Sequence, residues 1–324
     1  MCKPRSLALL LAPVCALALA GCANTSGNTS VACNALTPAP AKPMPGWTGS
    51  VFVIVMENKS RGQIIGNTTD APFINSLASQ NALAAGYHDS YVHPSEPNYI
   101  WMVSGENFGI LNDNDPGPGN HIASSSHIAD QLEMAGLTWK SYQESMGQPC
   151  GLQSHDEYAA KHNPFVYFDD INGWNGTGFA PTQRCLDNVV DYSQLDNDIA
   201  NKKVPKYAFI TPNLQDDMHD GSIAQGDQWL AREMPKILAL DEFNKGGVIF
   251  LTWDEGGGLI AGDDPPMIVI SPNAKQGYTS QVQYDTSSFL KTVESILGLQ
   301  QLPCASAGET VTAMSDLFTV PIAQ

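Results

Sequence analysis

Three apolar runs, each ending in a polar cluster, constrain the fold of this chain more than any other feature. Residues 51–56, VFVIVM, form an unbroken apolar and largely β-branched stretch that passes directly into Glu57 and Asn58. Such a run is the pattern of a strand buried on both faces, as in a parallel sheet. A second run, GVIFLTW at 247–253, ends in Asp254, Glu255 and three glycines, and a third, YAFIT at 207–211, leads through Pro212 and Asn213 to Asp216, Asp217, His219 and Asp220. Helical periodicity over 128–135, 224–240 and 287–297 separates or follows them. Strand and helix therefore alternate, which predicts an α/β fold: a central, largely parallel sheet with helices on both faces. In such sheets ligands collect beyond the carboxyl ends of the strands, where all three polar clusters lie.

The amino terminus carries Lys3 and Arg5, then an apolar stretch over 7–20 that is too short for a membrane span and right for a signal-peptide core. It ends in Leu19-Ala20-Gly21-Cys22, which resembles a lipobox, so residues 1–21 are expected to be removed and Cys22 lipidated. Residues 22–45, poor in large apolar side chains, read as a disordered tether, and 46–324 as one domain. The expected location is the bacterial cell envelope, with the lipidated Cys22 as the contact with the membrane.

Acids outnumber basic residues by 33 to 16, an excess that argues against nucleic acid as a partner. Four cysteines lie beyond the lipobox: Cys33, Cys150, Cys185 and Cys304. Their dispersal suits disulfides better than zinc, and four cysteines allow three connectivities. The pairing expected is Cys150 with Cys185 and Cys33 with Cys304.

The two carboxylate-rich strand ends could converge into a cation cage. Glu57, Asn58, Asp254 and Glu255 offer a hard oxygen set suited to one divalent ion, Ca²⁺, Mg²⁺ or Mn²⁺ more than Zn²⁺. A candidate nucleophile lies in YVHPSEPNYI at 91–100, where Pro94 and Pro97 flank Ser95 and predict a rigid, non-helical turn. Proline-bounded serines are more often ordinary loop residues, so the context decides. His93, two residues before Ser95, would face the same side in an extended segment. The remaining histidines, His88, His121, His127 and His155, read as structural or exposed.

MENKS at 56–60, HPSEPNY, KHNPFVYF at 161–168, the segment TPNLQDDMHDGSIAQGDQWL and TWDEGGG together resemble the phosphoesterase family of acid phosphatases and phospholipases C, within the alkaline phosphatase superfamily. Secreted acid phosphatases, including a branch acting on phosphatidylinositol 3-phosphate, are the nearest likeness. The resemblance implies metal ligation by Glu57, Asn58, Asp254 and Glu255, with Ser95 as both ligand and nucleophile. It also places His162 and His219 near the phosphate, and Lys161 beside them as a positive group. Asp217 and Asp220 flank His219 as possible orienting acids. Hydrolysis of phosphate monoesters or phosphoinositides through a phosphoserine is the expected activity, with a phosphodiesterase of phospholipase C type as the alternative. A third possibility, of another class, is a lipoprotein that binds phosphate or metal without catalysis. No GxSxG, HExxH or GxxxxGKS sequence occurs to favour an esterase, a zinc protease or a nucleotide-binding loop.

Overall fold

The computed structural model describes residues 40–257, 264–302 and 311–322. By contacts the chain divides into two units, 1–32 and 33–324, and the first lies outside the described residues. Cys22, Cys33 and Cys304 also lie outside them, as do Gly258 and Asp263.

Eight strands form one sheet: β1 (Val51–Met56), β2 (Ala82–Ala84), β3 (Trp139–Gln143), β4 (Val189–Asp191), β5 (Tyr207–Thr211), β6 (Val248–Trp253), β7 (Met267–Ile270) and β8 (Tyr278–Ser280). Their order across the sheet is β4-β3-β5-β1-β6-β7-β2-β8, and only β7 runs against the rest. The three strands foreseen from apolar runs are thus β1, β5 and β6, and they lie side by side at the centre. Their apolar runs suit a position in which apolar cores cover both faces of the sheet.

Alternation along β1 shows this directly. Val51, Val53 and Val55 join one core with Ile100, Val103, Leu290 and Val293. Phe52, Ile54 and Met56 join a second core with Ile74, Trp229 and Leu230 on the opposite face. Every residue of β1 is buried. At about 1.5–3 kcal/mol for each large apolar side chain removed from water, this central strand is firmly held. What projects from its end inherits that rigidity.

The helices match the periodic stretches with small shifts, as Ile128–Met134, Ile223–Leu238 and Thr286–Leu297. Ser222 and Gln225 form a capping box that starts the second, and Asp285 caps the third. One expectation is corrected: Ser95 is not in a non-helical turn but opens the helix Ser95–Ser104, with Pro94 as its N-cap. Pro97 falls in the first turn, where backbone N–H groups have no intrahelical partner and a proline costs little. Cys150 and Cys185 form the expected disulfide, with Cα atoms 5.3 Å apart.

Candidate active site

Register sets the heart of the site. Met56 pairs with Trp253, so the next residues along β1 and β6, Glu57 and Asp254, emerge side by side from the sheet. Both carboxylates are fully buried. Asn58 then turns into the left-handed region at φ +46°, which asparagine tolerates, and its amide reaches Asp254 Oδ1 at 3.1 Å. Its side chain donates to Glu57 Oε2 at 2.8 Å.

Ser95 is delivered from the segment after β2. Its hydroxyl donates to Glu57 Oε2 at 3.1 Å and is itself buried. The helix brings the serine to the strand end, and Asn98, one turn on, donates to Glu255 Oε2 at 3.2 Å. His93 Nδ1 bonds the same oxygen of Glu255. Glu255 therefore belongs to the site, with its carboxylate turned toward His93 and Asn98.

The third wall comes from beyond β3 and β5. His162 ends a short turn after β3, and Thr211 at the end of β5 donates to its carbonyl at 3.2 Å. Its ring lies between two carboxylates, Nε2 at 3.2 Å from Glu57 Oε1 and Nδ1 at 3.2 Å from Asp217 Oδ2, and stacks on Tyr99 with centroids 5.1 Å apart. The loop after β5 is pinned by the Glu57 amide, which donates to the Asp217 carbonyl at 2.8 Å. It turns through Met218 at φ +83°, a conformation that costs a residue with a side chain about 1–3 kcal/mol. Lys59 Nζ holds the Met218 carbonyl at 2.8 Å, and Gly226 admits the Met218 side chain, whose Cε would stand 2.4 Å from a Cβ at that position. The strained turn aims His219 across the site.

His219 Nδ1 contacts Asp220 Oδ1 at 2.7 Å, and its Nε2 lies 3.3 Å from Lys161 Nζ. Lys161 in turn donates to Asp113 Oδ2 at 2.9 Å. Asp220 is thus the side-chain partner of His219, whereas Asp217 holds the His219 amide through Oδ1 and faces His162 through Oδ2. The structure brings Glu57, Asn58, Ser95, Lys161, His162, His219, Asp254 and Glu255 to one end of the central strands.

Burial, with the charges of Asp254 and Asp217 behind it, pushes the Glu57 carboxyl well above its usual range. Burial and then the Glu255 charge do the same to Asp254, while burial raises Asp217 to about 7 and Glu255 to about 8. Burial, with Lys161 and His219 adding to it, drives His162 well below the ordinary histidine value. Burial comes first in every one of these shifts, and for Glu57 and Asp254 the neighbouring acids add to it.

Asp254 Oδ2 is buried without a hydrogen-bond partner, and Glu57 Oε1 and His162 Nε2, 3.2 Å apart, face each other with no other partner. Unpaired buried carboxylate oxygens are costly, and a cation is their natural partner. The donor set therefore fits a divalent ion. One grouping of histidine and carboxylate ligands at the site differs from the predicted quartet: Glu57, His162 and His219 present ligand atoms within 4.8 Å of one another. Two imidazoles beside the carboxylates widen the range of suitable ions beyond those that prefer oxygen alone.

Sequence reasoning missed Asp113, Asn98 and Lys59. Asp113 lies in an irregular connection, and nothing in its local pattern sets it apart from Asp115. Asn98 could have been found, since it lies three residues after Ser95 and so near the same helix face, had the helix been foreseen.

The model of the phosphoesterase family matches residues 67–300. A phosphatidylinositol-3-phosphatase of Mycobacterium tuberculosis is 31% identical over 264 residues, covering 81% of this chain and 81% of that protein. An acid phosphatase of Aspergillus fumigatus is 32% identical over 239 residues, 70% of this chain but only 50% of the fungal protein. Among solved structures, a Vibrio parahaemolyticus protein of the alkaline phosphatase superfamily superposes with a TM-score of 0.54 at 11% identity, covering 86% of this chain and 73% of that one, which speaks for the fold alone. With a sheet of that superfamily's kind carrying a buried serine and acids at its central strand ends, this chain belongs to the phosphoesterase family and is a phosphoric ester hydrolase.

Proposed function

We propose that the protein hydrolyses phosphate monoesters, with Ser95 as nucleophile and with Glu57, Asn58, Ser95, Asp254 and Glu255 holding one divalent ion. The observation that carries this reading is the Ser95 hydroxyl on Glu57 Oε2, beside the buried Asp254 Oδ2, which has no hydrogen-bond partner, and Glu57 Oε1, which faces only the His162 ring. A bound divalent ion would favour the ionised form of the serine and offset the negative charge of the phosphoryl oxygens.

The chain's own residues supply the rest. The helix starting at Ser95 fixes the hydroxyl at the strand ends, so attack on phosphorus needs little rearrangement. Ser95 releases its hydroxyl proton to solvent as it ionises; as its Oγ–P bond forms, the ester P–O bond breaks and the departing oxygen takes a proton from His219, which solvent later restores and whose ring Asp220 holds through Nδ1. Water then cleaves the phosphoserine, returning Ser95 and releasing inorganic phosphate. Lys161 adds positive charge at the edge where His219 lies.

Among monoesters, a phosphoinositide is the first to test, because the mycobacterial relative bears that name. A panel of aryl phosphate, phosphatidylinositol 3-phosphate and an aryl phosphodiester, assayed for wild type and Ser95→Ala, decides the class. Expected are turnover of the monoesters and a loss of about a thousandfold or more in Ser95→Ala with folding intact. Preference for the diester would instead make this a phospholipase C-type enzyme. Phosphate binding with no turnover of any ester would make it a binding lipoprotein.

The location follows from the lipobox-like sequence before Cys22. Wild type should fractionate with membranes and Cys22→Ser should be released with its phosphatase activity unchanged. Retention of Cys22→Ser in the membrane fraction would refute lipidation as the anchor.

A further inference from the structure

We infer that Asp113 is a positioning residue, which stations Lys161 against His219. The inference rests on the phosphatase reading above and adds a residue that neither motif nor resemblance singled out. One carboxylate spans two parts of the site: Asp113 Oδ1 accepts from the Glu96 amide at 3.0 Å and Oδ2 accepts from Lys161 Nζ at 2.9 Å. Glu96 directly follows Ser95, so this bridge links the first turn of the nucleophile helix to the cation.

The connection carrying Asp113 is itself tied down. Asn120 donates to both oxygens of the buried Glu96, at 2.9 and 3.2 Å, and to the Asn114 carbonyl at 2.6 Å. Asn112 donates to Asn120 Oδ1 at 3.1 Å, and Tyr167 donates to the Asn114 carbonyl at 3.0 Å. Asp113 is therefore held by its neighbours on both sides. A lysine has four rotatable side-chain bonds and loses much freedom when fixed, and a rigid carboxylate bears that cost before substrate arrives. Lys161 Nζ stands 3.3 Å from His219 Nε2 as a result, where it can meet a phosphoryl oxygen beside that histidine.

The test is a cycle of Asp113→Asn, Lys161→Met and the double variant. Asparagine keeps an oxygen for the Glu96 amide but turns an NH₂ group toward Lys161, so it breaks only the lysine arm. Each single variant should lower kcat/KM for an aryl phosphate about tenfold. The double variant should be no worse than Lys161→Met, because Asp113 acts through the lysine. Inorganic phosphate affinity, measured by calorimetry on the same four proteins, should show the same non-additivity, and Asp113→Glu should recover part of both. Full activity and phosphate affinity in Asp113→Asn would overturn the inference, as would losses that multiply in the double variant. A purely structural role would lower the unfolding temperature of Asp113→Asn and leave the losses independent of Lys161. A wild type that turns over no ester would break the functional reading instead, and the phosphate-binding cycle would still decide the role of Asp113.

Discussion

Among the described residues, two clusters bring histidine and acidic side chains close enough to hold an ion, and they are satisfied in opposite ways. At the strand ends, Glu57, His162 and His219 lie among Asp254, Glu255 and Asp217. Away from them, His127, Asp130 and Asp170 make a similar group. In the second cluster Arg184 threads between the acids, with Nη2 on Asp130 at 2.5 Å, Nη1 on Asp170 at 2.6 Å and Nε on Glu133 at 2.8 Å. Its guanidinium supplies the missing charge in a fixed fork. At the strand ends Lys161 is taken by Asp113 and Lys59 by a backbone carbonyl, leaving Asp254 Oδ2 buried with no partner and Glu57 Oε1 with only the His162 ring beside it. The difference teaches that proximity of ligand-type residues does not make a site. A deficit of positive charge does.

The sharpest way to break this comparison is to change one acid in each setting. Asp254→Asn removes charge where the deficit is and should lower phosphate release by about a hundredfold or more, partly rescued by excess divalent ion. Asp264→Asn is the control: its backbone carbonyl accepts from the Arg61 amide, a contact that the substitution preserves, so phosphate release should stay near wild type. Equal losses in the two variants would remove the distinction between a cation site and an acidic loop.

Arg184→Met probes the other cluster, with a smaller effect and a different readout. It strands Asp130 and Asp170 without their cation, and because Asp170 is partly open to water the loss should be about 2–3 kcal/mol of stability rather than the full cost of a buried charge. Denaturant unfolding reads that loss, and kcat/KM measured below the transition should be unchanged. A drop in activity at unaltered stability would mean that this cluster serves catalysis after all.

Much of the site was legible because its acids follow directly upon the purest strands. VFVIVM and VIFLTW declare buried central strands, and Glu57 and Asp254 are their next residues, so position along the chain nearly fixes position in space. The other strands are short or mixed, as in WKSYQ of β3, and their apolar pattern is too brief to separate from a loop. The Ser95 helix was misread because two prolines mask it, although a proline in the first turn is compatible with a helix. Asp113, by contrast, depends on a connection whose path is set by side-chain contacts far apart in sequence, including Asn120 with Glu96 and Tyr167 with Asn114. No local pattern encodes that.

The central claim is that the charge deficit at Glu57 and Asp254 is met by a divalent ion on which turnover depends. Metal content and aryl phosphate hydrolysis, measured on the same sample before chelation, after exhaustive chelation and after readdition of Ca²⁺, Mg²⁺, Mn²⁺ or Zn²⁺ singly, test it most directly. The account predicts about one ion per chain at the start, loss of ion and activity together, and recovery of both with at least one of the four. Full activity in protein shown to be free of metal would contradict it.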